Sequence, residues 1–216
     1  MDGNGRWAKK RNKKRLFGHS EGSKTVKEIV TESRELGIEY LTLYAFSREN
    51  WKRPRSEVKG LFNLLNQYCE EELQTMLDND ISFNVIGEWT KLPTKTKKIL
   101  RKTIRETSSL KKMKLTLALN YSSRREILVA VKKMISEGIK RVTEKGFEKR
   151  LFTSDMPDPD LLIRTSGEKR ISNFLLWQLS YTELAFTDTL WPDFTKKEYR
   201  KIIEEYTKRE RRYGGL

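Results

Sequence analysis

Apolar positions along this 216-residue chain fall into short runs between strongly charged segments, and their spacing alternates between two periods. Val26, Ile29 and Val30 recur at helical spacing between about Ser20 and Leu36, and Gly37 follows as a C-terminal stop. The next stretch, IEYLTLYAF at 38–46, is continuous enough for a buried strand. Val58, Leu61, Phe62, Leu65, Tyr68, Cys69, Leu73, Met76 and Leu77 then repeat every three or four positions, predicting one long helix over about 56–79. A strand at 81–87, a Lys-rich helix at 94–106, a strand at 113–121 and a helix at 124–137 continue the pattern. Beyond a basic, weakly patterned segment come the short strand DLLIR (160–164), an apolar run at 173–187 and an amphipathic helix from about Thr195 to Arg211.

Strand and helix alternating in this way predict an α/β fold, with a central, mostly parallel β-sheet flanked by helices. There is no internal repeat and no low-complexity linker, so residues 1–216 read as a single domain. Charged residues make up 35% of the chain and apolar residues 36%, which concentrates the core into those few runs. The net charge of +15 implies attraction to polyanions: nucleic acid, phosphorylated small molecules or an anionic membrane surface. Taken alone, the basic tracts Lys9–Arg15, Lys95–Lys98 and Lys208–Arg212 read as solvated faces. The single cysteine, Cys69, and single histidine, His19, exclude a structural zinc site of the usual composition. A lone cysteine forms no internal disulfide, and no apolar run reaches the roughly 20 residues that span a bilayer. These features predict a cytoplasmic protein that touches membranes only peripherally.

In sheets of this kind ligands bind beyond the carboxyl ends of the strands, so the informative segments are the loops there. SRENWKRP (47–54) offers the Ser47 hydroxyl, the Asn50 amide, the Trp51 ring and the Arg53 cation. RTSGEKRIS (164–172) places Arg164, Arg170 and Ser172 around a Ser-Gly turn, a set suited to phosphate or diphosphate. The opening stretch reads as a loop, with Asp2 beside the flexible Gly3 and Gly5 and near Arg6; Arg15 and His19 follow. Ser20–Ser23 would form the first turn of the next helix, its amides facing an anion. A carboxylate among phosphate-binding arginines makes sense as a Mg2+ ligand, because Mg2+ is commonly held by one or two carboxylates plus substrate phosphates. SDMPDPD has aspartates at 155, 158 and 160 that could mimic a metal cluster, but its two prolines favour a rigid turn. No P-loop, dinucleotide fingerprint or nucleophile elbow occurs.

The segments MDGNGRWA, LTLYAFSRENWKRP, LALNY, DPDLLIRTSGE, RISNFLLWQLSYTELAFTDTLWPDF and RRYGG, in this order, resemble the cis-prenyltransferases, and most of all the bacterial undecaprenyl diphosphate synthases. The resemblance implies a homodimeric, Mg2+-dependent enzyme with an apolar substrate tunnel, adding isopentenyl diphosphate repeatedly to an allylic diphosphate. By the same resemblance Asp2 binds Mg2+, while Gly3, Asn4, Gly5, Arg6 and Trp7 belong to the loop around the allylic diphosphate, near Arg15 and His19. Ser47 and Asn50 assist condensation. Trp51, Arg53 and Glu57 lie in a mobile loop, and Arg164, Arg170 and Ser172 bind isopentenyl diphosphate. Glu183 is linked to the metal and the dimer interface, and Arg212 and Gly214 reach the partner's site. The family pattern also places an apolar strand before Met1, giving the expectation of residues upstream. Arg48 stands where Ser or Thr is usual, and Ser122-Ser123 where Gly-Gly is usual. Two other readings, a non-catalytic partner subunit and a basic nucleic-acid-binding domain, lack support: the Asp2, Arg164 and Arg170 positions are kept, and no nucleic-acid recognition motif occurs.

Overall fold

A computed structural model describes residues 1–210 of the chain. Its elements run α1 (Asn4–Lys10), α2 (Arg15–Glu35), β1 (Tyr40–Ser47), α3 (Arg55–Glu71), α4 (Leu73–Asp78), β2 (Ile81–Ile86), α5 (Thr94–Thr107), β3 (Met113–Tyr121), α6 (Ser123–Ser136), α7 (Glu144–Glu148), β4 (Leu161–Arg164), β5 (Glu183–Phe186) and α8 (Lys196–Thr207). Short 3-10 turns at Arg48–Lys52, Trp89–Lys91 and Trp191–Asp193 complete the set.

Every strand pairing is parallel, as the alternation predicts. The described strands form two ladders: three strands in the order β1-β3-β2, and the pair β4-β5. Parallel neighbours need long crossovers, and α3, α4 and α5 supply them. The central strand β3 is buried along nearly its whole length, which explains its unbroken apolar run. Leu43, Phe46, Phe62, Leu100, Leu115 and Leu117 form the main core between the sheet, α3 and α5. A fully buried side chain of this size is worth about 1.5–3 kcal/mol. A second cluster, Ile29, Trp191, Phe194 and Tyr199, fastens α2 to α8 and to the turn at Trp191.

Three local expectations are corrected, and one unassigned run is resolved. The opening stretch is a loop only to Gly3; from Asn4 it is helical, and its last turn carries Lys9 and Lys10, which suit the negative end of the helix dipole. α2 begins at Arg15, so Ser20–Ser23 lie inside the helix and their amides are not free to face an anion. The long helix expected over 56–79 is interrupted at Glu72, whose carboxylate accepts a hydrogen bond from Lys27 Nζ at 2.8 Å. Of the apolar run 173–187, only Glu183–Phe186 is a strand, since Ser172, Asn173 and Leu175 take positive φ and turn the chain.

Candidate active site

The carboxyl end of β4 and the first turn of the chain meet at Asp2. The Thr165 hydroxyl accepts from the Asp2 amide at 3.0 Å and donates to the Asp2 carbonyl at 2.9 Å, while the Trp191 amide donates to that carbonyl at 3.0 Å. The backbone of Asp2 is therefore held on both sides. Its carboxylate accepts from the Gly3 amide at 2.7 Å and from Arg164 at 3.0 Å, with Arg6 at 3.6 Å. Burial pushes the Asp2 carboxyl up, yet the Arg164 and Gly3 hydrogen bonds and the charges of Arg164 and Arg6 outweigh it, and the group stays below the usual carboxylate range. Asp2 is thus ionised at neutral pH, with its side chain still partly open to solvent.

The arginines around it are themselves positioned. Arg164 donates to the Ser172 hydroxyl at 2.8 Å and to the Arg170 carbonyl. Arg6 donates to Ser166 at 2.5 Å and pairs with Glu168 at 3.1 Å, and Glu168 also pairs with Arg170. Ser166 and Gly167 carry φ of 77° and 74°, and their amides donate to the Thr189 and Thr187 carbonyls at 2.8 Å. A side chain at Gly167 would be strained by that φ and would meet Asp188. The loop after β4 therefore gathers Arg164, Arg170 and Ser172 beside Asp2 and Arg6, as the sequence predicts. Thr165, Ser166 and Glu168 escape sequence reasoning, although an acidic residue amid arginines at a strand's end was their signal.

A second cationic group surrounds Glu57 in the first turn of α3. Arg15 and Arg53 donate to it at 3.3 and 3.2 Å, and His19 Nε2 lies 3.9 Å away. Burial, together with Arg53 and Arg15, lowers His19 to about 4 against the pull of Glu57, so the imidazole is neutral. Gly5 lets the Arg15 guanidinium approach, since a Cβ there would lie 2.9 Å from Arg15 Cζ. Gly18 and Gly22 bring α2 against Asn4, leaving the buried Asn4 Oδ1 without a partner.

Asn50 and Ser47 meet at the end of β1, where the Ser47 amide donates to Asn50 Oδ1 at 3.2 Å. Trp51 lies over Phe46 and Phe62 and donates to Asn120 Oδ1 at 2.8 Å. Arg48 pairs at 3.5 Å with Glu88, which Arg125 and Lys91 also hold and draw down to about 2. Asn4, His19, Asn50 and Arg53 line one part of a cavity of about 180 Å3. Val26, Leu43, Leu61, Leu65, Tyr68 and Leu117 line the rest, between α2, α3 and the sheet.

Two expected site positions lie elsewhere. Trp7 is buried, stacks on Phe17 at 6.0 Å and donates to Asp193 at 2.6 Å, so its indole anchors α1 instead of facing a ligand. Glu183 does not join Asp2 within the chain. It pairs with Leu161, at the opposite end of the β4-β5 ladder from Arg164, and its carboxylate accepts from Arg209 at 2.7 Å. Arg212 and Gly214 lie outside the described residues. Among the described residues no cluster of three or more His, Cys, Asp or Glu could cage a metal, so Asp2 could hold Mg2+ only if a bound ligand supplied further oxygens.

The profile of a family described as "Putative undecaprenyl diphosphate synthase" matches residues 1–214. The chain belongs to this family. An isoprenyl transferase of Fusobacterium nucleatum is 52% identical over 216 residues, covering 100% of this chain and 94% of the relative. One from Thermotoga maritima is 48% identical over 220 residues, again covering 100% and 94%. Among solved structures, lavandulyl diphosphate synthase from Lavandula x intermedia, in complex with dimethylallyl diphosphate, superposes with a TM-score of 0.95 at 33% identity, covering 100% of this chain and 95% of that one. A "probable undecaprenyl diphosphate synthase" from Campylobacter jejuni gives 0.82 at 36%, covering 91% and 93%. As a member of the undecaprenyl diphosphate synthase family, the chain is a prenyl-transferring enzyme. The family resemblance of its motifs extends over residues 1–214.

Proposed function

We propose that this prenyl transferase is a Mg2+-dependent cis-polyprenyl diphosphate synthase. It condenses isopentenyl diphosphate repeatedly onto an allylic primer, farnesyl diphosphate, and makes a long-chain product such as undecaprenyl diphosphate, the lipid carrier for cell-wall glycan synthesis. The observation that carries this reading is the pairing of one ionised carboxylate, Asp2, with Arg6, Arg164, Arg170 and Ser172, close to the Asn50 and Arg53 rim of a largely apolar cavity. A charged head and an apolar tail are what such a site divides between its two parts.

In each cycle the primer's C1–O bond breaks and pyrophosphate leaves. The isopentenyl double bond then forms the new C–C bond, and a proton is lost from its C2. Negative charge develops on the departing diphosphate, and guanidiniums already fixed by hydrogen bonds stabilise it without having to reorganise. Arg6, the amides near Gly3 and Gly5, and Arg15 bind the primer's diphosphate. Arg164, Arg170 and Ser172 bind that of isopentenyl diphosphate. Asp2 would hold Mg2+ together with diphosphate oxygens, and the ion would neutralise charge on the leaving group. Ser47 and Asn50 orient the reacting ends, and the apolar walls receive the growing chain. The enzyme acts as a homodimer, with Glu183 linked to its interface and Arg212 and Gly214 serving the partner's active site.

Incubating the protein with farnesyl diphosphate, labelled isopentenyl diphosphate and Mg2+ should give long-chain product; failure of well-folded protein to incorporate label would reject the reading. The Asp2→Ala variant should lose at least about a hundredfold in turnover with an unchanged thermal midpoint. Near-normal turnover would remove Asp2 from the mechanism.

A further inference from the structure

The chain segment 9–17, from the end of α1 to the start of α2, brings exposed basic and exposed apolar side chains together. All nine of its residues are exposed. Among the described residues, Lys9, Lys10, Lys13 and Lys14 take part in no ion pair with a carboxylate, and Lys13 Nζ lies 5.8 Å from the ring centroid of Phe17. Leu16 and Phe17, large and apolar, remain 38% and 42% exposed. Both are held from beneath: Phe17 stacks on Trp7, and Leu16 lies against α3, where a Cβ on Gly60 would meet its Cδ atoms at 2.7 Å. The patch is therefore a rigid corner and not a loose tail.

We infer that this α1–α2 corner is a docking surface for an anionic phospholipid bilayer. Clustered lysines gain from the negative surface potential of such a membrane, and neighbouring apolar side chains bury themselves at the headgroup boundary. The chemistry favours lipid over nucleic acid, because a phosphate backbone would use the lysines but offer nothing to Leu16. The fold supplies an internal comparison. The face of α5 carries Lys95, Lys98, Lys102 and Arg105 exposed on one stripe, yet no large apolar side chain on that helix is exposed. The α5 face thus has charge without apolar surface, and the α1–α2 corner has both.

Position gives the corner its use. Arg15 follows Lys14 directly and reaches Glu57 and Gly5, so the docking surface borders the cationic site described above. Docking there would turn the rim of the site toward the bilayer. A lipid product could then pass between protein and membrane over a short path. That consequence rests on the proposed reaction; the docking itself does not.

The test is co-sedimentation with vesicles of equimolar phosphatidylglycerol and phosphatidylcholine, without substrate, so it stands or falls apart from the reaction. The parent protein should partition onto these vesicles, less so as salt rises, and weakly onto pure phosphatidylcholine. Changing Lys9, Lys10, Lys13 and Lys14 together to Gln should weaken partitioning at least about 30-fold. Changing Lys95, Lys97, Lys98 and Lys102 to Gln removes the same charge and should leave it within about twofold of the parent. Phe17→Ser should weaken it further at high salt, where the apolar part dominates. Equal loss in the two quadruple variants would reduce the effect to net charge and overturn the inference. So would parent protein that ignores the anionic vesicles, or that is displaced from them by random oligonucleotides at equal phosphate.

Discussion

His19 shows how one side chain is set by its neighbours. A histidine near a proposed diphosphate site invites a cationic role, but burial and the flanking Arg53 and Arg15 hold it neutral, with a pKa of about 4 against 6.5 for the free group. As pH falls, the unfolded chain takes up this proton first. The stability tied to His19 is therefore complete above about pH 6.5 and is lost as the pH falls through that value toward 4. Denaturant midpoints of the parent and of His19→Gln should diverge over that window, the variant being spared a loss on the order of 3 kcal/mol. Parallel curves would place His19 in a more solvated setting. Asp2 moves in the opposite sense from what burial alone would give, because Arg164 and Arg6 hold its charge in place.

At the scale of elements, the site depends on how closely α1 lies on α2. Gly18 is the contact point: a Cβ there would come 2.1 Å from the Asn4 carbonyl, and backbone cannot give way as a flexible side chain can. Gly18→Ala should cost roughly 1–3 kcal/mol of stability and push α1 outward. Because Arg6 rides on α1, the same change should raise KM for the proposed allylic substrate more than that for isopentenyl diphosphate, whose proposed arginines sit on the loop after β4. An unchanged thermal midpoint would mean that the two helices separate freely. The break between α3 and α4 is of the same kind: the apolar repeat runs through Glu72 unbroken, and the contact with Lys27 lies outside its reach.

For the molecule as a whole, the proposed homodimer has a surface to use. Leu128, Val131 and Ile135 follow one another at helical spacing on α6 and are 54%, 40% and 73% exposed, an arrangement that a solitary chain has no reason to keep. Leu184 and Phe186 on β5 are exposed as well. Sedimentation of the parent should give a dimer, and of Ile135→Asp combined with Val131→Asp a monomer with little change in thermal midpoint. A dimer that survives both changes would move the interface off α6.

The sequence by itself determined the family and the parallel α/β architecture, and pointed to the polar loops at strand ends as the candidate site, since long runs such as β3 and such loops are local signals that survive any packing. It also placed Asp2, Arg6, Arg164, Arg170 and Ser172 in one site, through motifs that carry them together. Only the tertiary structure decided which polar groups hold them: Thr165 on the Asp2 backbone, Ser166 and Glu168 on Arg6, and Glu57 between Arg15 and Arg53. It also turned Trp7 into an anchor and set Glu183 apart from Asp2. These outcomes depend on distances between segments far apart in the chain. Spacing along a sequence reports which face a residue takes on its own element, and says nothing of what another element brings to meet it.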